Sequence, residues 1–294
     1  MTTSPGTVPA DPAALLSLAV DVAREAAALV ARGRATAAAS VDVKSSPIDV
    51  VTAVDRASEE LVVARLLAAR PDDGLLGEEG AARDGTSGVR WVVDPIDGTV
   101  NFLYDLPAYA VSIAAEVDGG IRAGVVLNAA TGELFTATAG GGAHLSSPAR
   151  PEPVGLSGSS PVSLEQTLVG TGFGYRVEQR RAQGAVVARL LPRVRDIRRF
   201  GSAALDLCAV AAGRIDAYYE LDLNPWDHAA GALVAAEAGA VLSGLGGRPF
   251  ADPMAVAAAP SIAGPFLELL EELMTDPPAP HRSPVRGGTL QEGR

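Results

Sequence analysis

Asp94 and Asp97 stand three residues apart in WVVDPIDGT, residues 91–99, where an apolar run ends. Arg90-Trp91-Val92-Val93 reads as the end of a buried strand. Pro95 cannot donate to that strand's ladder, and Gly98 permits a tight turn. Two carboxylates at the carboxyl end of a strand, beside free backbone amides, can hold hard cations on their oxygens and an anion on the amides. Metal-assisted hydrolysis of a phosphate ester needs that combination. A carboxylate abutting Trp-Val-Val and a proline also carries a high desolvation cost unless it is paired or metal-bound.

Three further acidic patches accompany this one. KSSPIDVVTAVD carries Lys44, Asp49, Thr52 and Asp55; LLGEEG carries Glu78 and Glu79; YYELDLNPWDHAAG carries Glu220 and Asp227. Each has a purely structural alternative. Asp55 could cap a helix, Glu78-Glu79 could be a solvated turn, and Asp227 could be an ordinary N-cap. His144 and His228 fall in no HxxxH or HExxH spacing, so a histidine-ligated zinc site is not indicated. GTGFG at 170–174 and AGGG at 139–142 read as turn geometry, since neither completes a dinucleotide-binding pattern. The basic run Arg193, Arg195, Arg198, Arg199 is broken by apolar residues and reads as a solvated or subunit-facing surface. Cys208, the only cysteine, reads as a small core residue and leaves no internal disulfide framework.

These residues need elements to position them. Asp11-Pro12 reads as a helix start continued to about Arg34. A second helix runs from about Val54 to Arg70, with a capping pattern at Thr52 to Asp55. Tyr109–Val117 and Ile121–Leu127 flank Asp118-Gly119-Gly120 as a hairpin, and Glu133–Thr138 with Ala143–Leu145 reads as another. Residues 146–160, rich in Ser, Pro and Gly, read as a linker between two halves. Beyond it lie a strand at Thr167–Thr171, helices at Glu178–Leu191 and Ser202–Ala212, a strand at Ile215–Glu220, and helices at Asp227–Ala238 and Phe266–Met274. The expected organisation is a disordered tail at 1–10, an α+β half at 11–150 with most of the acidic ligands, an α/β half at 151–274 with the substrate pocket, and a disordered tail at 275–294.

The 294 residues are 48% hydrophobic but only 4% aromatic, so the core must be built mainly from Ala, Val and Leu. The net charge of −11 disfavours non-specific binding to nucleic acid or to an anionic membrane. It does not exclude a phosphorylated substrate, because bound cations reverse the local field. The N-terminus lacks the basic region and apolar core of a signal peptide, and no uncharged apolar run is long enough to cross a bilayer. A soluble, cytoplasmic protein is expected.

Taken together, WVVDPIDGTVNF, NPWDHAAGALVAAEAG, GEEG and DVVTAVD, in that family's order, resemble the magnesium-dependent, lithium-sensitive phosphatases of the inositol monophosphatase family, over about residues 12–273. VRDIRRFGSAALDLCAVAAGR is most similar to the actinobacterial branch. The resemblance implies a layered αβαβα sandwich, a mixed α/β fold, assembled as a homodimer. It implies two to three Mg²⁺ ions: one on Glu78, Asp94 and the carbonyl of Ile96; one on Asp94, Asp97 and Asp227; and a weaker third near Glu78. It implies that Thr99, paired with Asp49, orients an attacking water, and that the amides of Gly98 and Thr99 take phosphate oxygens. It places Glu220, Arg198 and the loop Gly201-Ser202-Ala203 around the alcohol. The implied reaction is hydrolysis of inositol 1-phosphate. Histidinol phosphate and fructose 1,6-bisphosphate are alternative substrates, and a non-catalytic acidic protein-binding module is the alternative of another class.

Overall fold

The computed structural model describes residues 11–37, 41–43 and 50–275. Helix α1 (Pro12–Ala37) begins where Asp11 accepts the amide of Ala13 at 3.1 Å. The short strands β1 (Val41–Val43) and β2 (Val50–Thr52) pair antiparallel and lead into α2 (Ala53–Ala69). Thr52 and Asp55 form a capping box there.

Strands β3 (Gly74–Gly77), β4 (Ala82–Arg83) and β5 (Val89–Asp97) follow, then the short helix α3 (Thr99–Tyr104). An antiparallel meander comes next: β6 (Ala110–Val117), β7 (Gly120–Asn128), β8 (Leu134–Thr138), β9 (Gly142–Ser147) and β10 (Arg150–Gly155). These eight strands form one sheet, in the order β10-β9-β8-β7-β6-β5-β3-β4, parallel only between β3 and β5. The second half contributes β11 (Leu168–Thr171), α4 (Val177–Leu190), β12 (Asp196–Arg198), α5 (Ala203–Ala211) and β13 (Ala217–Leu221). After these come α6 (Pro225–Glu237), β14 (Val241–Ser243), β15 (Met254–Ala258) and α7 (Ala263–Thr275). Its sheet has five strands in the order β12-β11-β13-β15-β14.

Alternation along the strands explains the layering. In β5, Trp91 and Val93 face α1 and α2, in one apolar cluster with Val22, Ala26 and Val62. Val92, between them, faces the other way, toward Cys208 of α5 and Ala230 of α6. In β13, Tyr218 packs on Leu207 of α5, whereas Tyr219 packs on Phe266 of α7. The large sheet thus lies between the α1/α2 layer and the α5/α6 layer, and the small sheet between α5 and the α4/α7 layer: αβαβα. The middle helices are short-sided, with Ala204, Ala211, Ala229, Ala230 and Ala235 all buried, so an alanine-rich sequence with few aromatics still fills its interior.

Three expectations change. β5 continues through Pro95 to Asp97, its register with β6 shifting between Asp94 and Asp97, so the proline sits in an irregularity of the ladder. Residues 150–155, read as linker, form the edge strand β10. Asp227 is the third residue of α6 rather than its cap, which is Asn224. The helix and hairpin positions otherwise agree to within a few residues, and Cys208 is buried and free. Among the described residues no helix is long and apolar enough to cross a membrane.

Candidate active site

The carboxyl ends of β3, β5 and β13 and the starts of α3, α5 and α6 open onto one cavity of about 470 Å³. It is lined by Glu78, Asp94, Ile96, Asp97, Gly98, Thr99, Gly201, Ser202, Ala203, Glu220 and Asp227. All four acidic patches therefore converge: three through these residues, and the fourth through Asp55, which reaches Thr99 from beneath.

Asp94, Asp97 and Asp227 are each anchored by backbone or hydroxyl donors. Asp94 is 1% exposed, and its Oδ1 accepts the amide of Ile96 at 3.0 Å. Asp97 Oδ2 accepts the Ser202 hydroxyl at 2.6 Å and the Ala204 amide at 2.7 Å, so the start of α5 locks a residue from the other half of the chain. Asp227 Oδ2 accepts the amide of Asn224 at 2.7 Å. Gly98 adopts φ 95°, which lets β5 turn directly into α3 and brings Thr99 into the cavity.

Burial is the main influence on these groups and their mutual repulsion adds to it. Asp94 is pushed well above the ordinary carboxylate range by burial, then by the charges of Glu78, Asp97 and Asp227; Glu78 lies within hydrogen-bonding reach of it. Burial raises Asp97 to about 7, although its bonds from Ser202 and Ala204 oppose the shift. Asp227 is also raised, by burial and then by Asp97. The principal charges acting on the three are thus other carboxylates. Among the described residues no group of three forms a ready-made cation cage. All the donors are oxygens, two of the carboxylates are buried, and among the described residues the charges that raise the three are other carboxylates: the fit is to a hard divalent cation that supplies positive charge.

Thr99 Oγ1 lies 3.0 Å from Asp55 Oδ1 and 3.1 Å from the Ile96 carbonyl oxygen. The expected partner, Asp49, lies outside the described residues; among the described residues the carboxylate that Thr99 reaches is Asp55. Asp55 also caps α2, so its structural and chemical readings both apply. In the same lining, Glu220 accepts the Tyr218 hydroxyl at 2.6 Å on Oε2. Burial raises Glu220 above its ordinary value, with the Tyr218 bond and Arg199 opposing. GTGFG has a use here that its sequence did not suggest: Gly172 lies against the Glu220 carboxyl, where a side chain would collide. Arg198 is not part of the wall; its guanidinium bonds to Asp196 at 2.6 Å, and its neighbour Arg199 lines the cavity instead. His228 is packed edge-on against Phe250, 5.4 Å between ring centroids, and burial lowers it to about 4.

This geometry agrees with comparisons against known proteins. The model of the inositol monophosphatase family matches residues 11–275, and the chain belongs to that family. It is 46% identical to the inositol-1-monophosphatase of Mycobacterium leprae over 277 residues, 89% of this chain and 94% of that protein. It is 40% identical to the Nus factor SuhB of Escherichia coli K12 over 235 residues, 79% of this chain and 86% of that one. Among solved structures, Mycobacterium tuberculosis SuhB superposes with a TM-score of 0.76 at 45% identity, covering 90% of this chain and 98% of that one. The Thermotoga maritima IMPase superposes with a TM-score of 0.79 at 29% identity, covering 88% and 98%. The protein is accordingly a phosphatase, of a family that is generally metal-dependent.

Proposed function

We propose that the chain hydrolyses inositol 1-phosphate to inositol and phosphate, with Mg²⁺ held by Glu78, Asp94, the Ile96 carbonyl, Asp97 and Asp227. The observation that carries this reading is one cavity lined by both Glu220 and a carboxylate cluster whose members, buried together, raise one another. When bound, magnesium supplies the positive charge that offsets the charge developing on the phosphoryl oxygens and the leaving group. The protein's own groups do the rest. Asp55 accepts the Thr99 hydroxyl, which orients that oxygen toward an attacking water and gives its proton a path to a carboxylate. The Gly98 and Thr99 segment faces the phosphate. Glu220, fixed by Tyr218, accepts from paired hydroxyls of a polyol, which suits inositol.

Relatives named inositol-1-monophosphatase support the choice of ester. Arg176 and Arg199, which also line the cavity, favour a second reading, a sugar bisphosphate whose distal phosphate they would meet. A phosphate-release panel with inositol 1-phosphate, histidinol phosphate and fructose 1,6-bisphosphate, each with and without Mg²⁺, tests the proposal. Highest kcat/KM on inositol 1-phosphate, lost on chelation, is the expected result. Preference for either other ester overturns the substrate, and release unaffected by chelation overturns the metal. No release from any ester would favour the protein-binding role that the intact carboxylate set argues against. Tyr104, Leu106 and Phe200 carry exposed apolar side chains, and Asn101 bonds the backbones of Leu106 and Phe200, which brings these two segments together in one patch. We assign this patch to the homodimer contact.

A further inference from the structure

Helix α2 presents three buried polar residues, Asp55, Ser58 and Glu59, at 0%, 0% and 5% exposure. Positions i, i+3 and i+4 share one helix face. Each bonds a different segment of the site. Asp55 accepts from Thr99, and the Ser58 hydroxyl donates to the Pro95 carbonyl at 3.2 Å, between Asp94 and Asp97. Glu59 takes the GEEG loop with both oxygens: Oε2 accepts the Glu79 amide at 2.8 Å, and Oε1 the Ala81 amide at 2.9 Å. Gly77 completes the fit, because a Cβ there would run into the Glu59 carboxylate. The loop is also tied by the Gly77 amide to the Ala81 carbonyl at 2.7 Å, and by the Glu78 amide to the Val93 carbonyl of β5 at 3.2 Å.

Glu78 and Asp94 repel each other when both are charged, so a loop free to relax would carry Glu78 away. We propose that Glu59 is a positioning residue for cation binding: its carboxylate grips the Glu79 and Ala81 amides from α2 and holds Glu78 facing Asp94. This rests on the reading of Glu78 and Asp94 as metal ligands. Groups that orient ligands in this way change metal affinity by roughly 10- to 100-fold when altered.

The test measures Mg²⁺ binding directly by isothermal titration calorimetry, alongside the Mg²⁺ dependence of turnover. Glu59→Gln keeps the shape but sets an NH₂ against one of the two amides. It should raise the Mg²⁺ dissociation constant and the half-saturating Mg²⁺ about 10- to 100-fold. Most of the activity lost at low Mg²⁺ should return at saturation, a split that a general loss of folded protein would not produce. Glu59→Asp, which keeps the charge but reaches only one amide, should fall between the two and carries the test if Glu59→Gln does not fold. Folded Glu59→Gln, or Glu59→Asp in its place, binding Mg²⁺ as the parent does would overturn the proposal. Glu78→Gln run in parallel separates the two ideas. If Glu78→Gln also binds Mg²⁺ normally, the ligand assignment itself has failed; if it alone is defective, only the role of Glu59 has.

Discussion

Thr99 Oγ1 lies 3.0 Å from Asp55 Oδ1, and the other Asp55 oxygen, Oδ2, accepts the Thr52 amide at 2.9 Å. One carboxylate therefore ends a strand pair, starts a helix and accepts the Thr99 hydroxyl that lines the cavity. Because α3 begins at Thr99 and α2 begins just before Asp55, the pairing is fixed by two helix starts rather than by flexible loops.

Thr99→Ala should lower kcat by about 10²- to 10⁴-fold, the range for losing a positioned proton acceptor path, with little change in KM. Thr99→Ser keeps the hydroxyl and should keep most of the rate. Asp55→Asn should match the loss of Thr99→Ala and also cost about 1 kcal/mol through the weakened cap. Steady-state kinetics with a parallel melting curve separates the two effects. Full activity in Thr99→Ala would remove the pair from the reaction.

Asp94→Asn should abolish turnover while raising Tm in chelator. The buried Asp94 is pressed by burial and by three carboxylates, and the amide relieves both without changing the shape. The same variant should lose the Mg²⁺-induced rise in Tm that a ligand specific for the folded state must produce. Activity at saturating Mg²⁺ equal to the parent's, or an undiminished Mg²⁺ shift in Tm, would contradict the assignment.

The acidic corner was legible in the sequence because its cues are local. An apolar run, a proline and a glycine within nine residues mark the strand end that carries Asp94 and Asp97. The partners were less legible where the contact spans distance. Asp55 meets Thr99 across 44 residues, a contact that its place in a capping pattern does not announce, whereas Asp49 lies outside the described residues. Asp97 bonds to Ser202 across 105 residues, which no periodicity announces. Strand β10 was hidden for another reason: every residue in it is exposed, so it lacks apolar alternation, and as an edge strand it tolerates Pro151 and Pro153. The three-residue strands β12 and β14 are too short to show a period. Glu59 is an ordinary helix residue in the sequence, and only the folded loop reveals its use.

Tyr218→Phe should raise KM for inositol 1-phosphate more than it lowers kcat. The phenol donates to Glu220 Oε2 at 2.6 Å, and losing one hydrogen bond to a charged acceptor costs about 1.5 kcal/mol, roughly tenfold in affinity. Glu220→Gln should do the same, and the double variant should add little to either single one, because both act through one carboxyl. Fully additive effects in that cycle would show that Tyr218 acts elsewhere.

Asp206→Asn should stabilise the protein at alkaline pH and not in acid. Asp206 lies in α5 at 1% exposure, and its Oδ1 is buried without a hydrogen-bond partner. Burial, then the charges of Glu220 and Asp97, raise its carboxyl well above the ordinary range, with Arg199 opposing. The sign follows from proton linkage: the folded state holds this proton more tightly than the unfolded chain. That contribution is fully present below the unfolded value of about 3.9 and is lost as pH rises through the folded value. Each tenfold difference in proton affinity corresponds to about 1.4 kcal/mol. Asparagine cannot ionise, so any packing penalty of its amide is constant with pH, whereas the parent's penalty grows. The Tm of Asp206→Asn minus that of the parent, both in chelator, should therefore increase from pH 4 to pH 8. A difference that stays flat or falls over that range would mean that the Asp206 carboxyl is not the strained group the fold makes it.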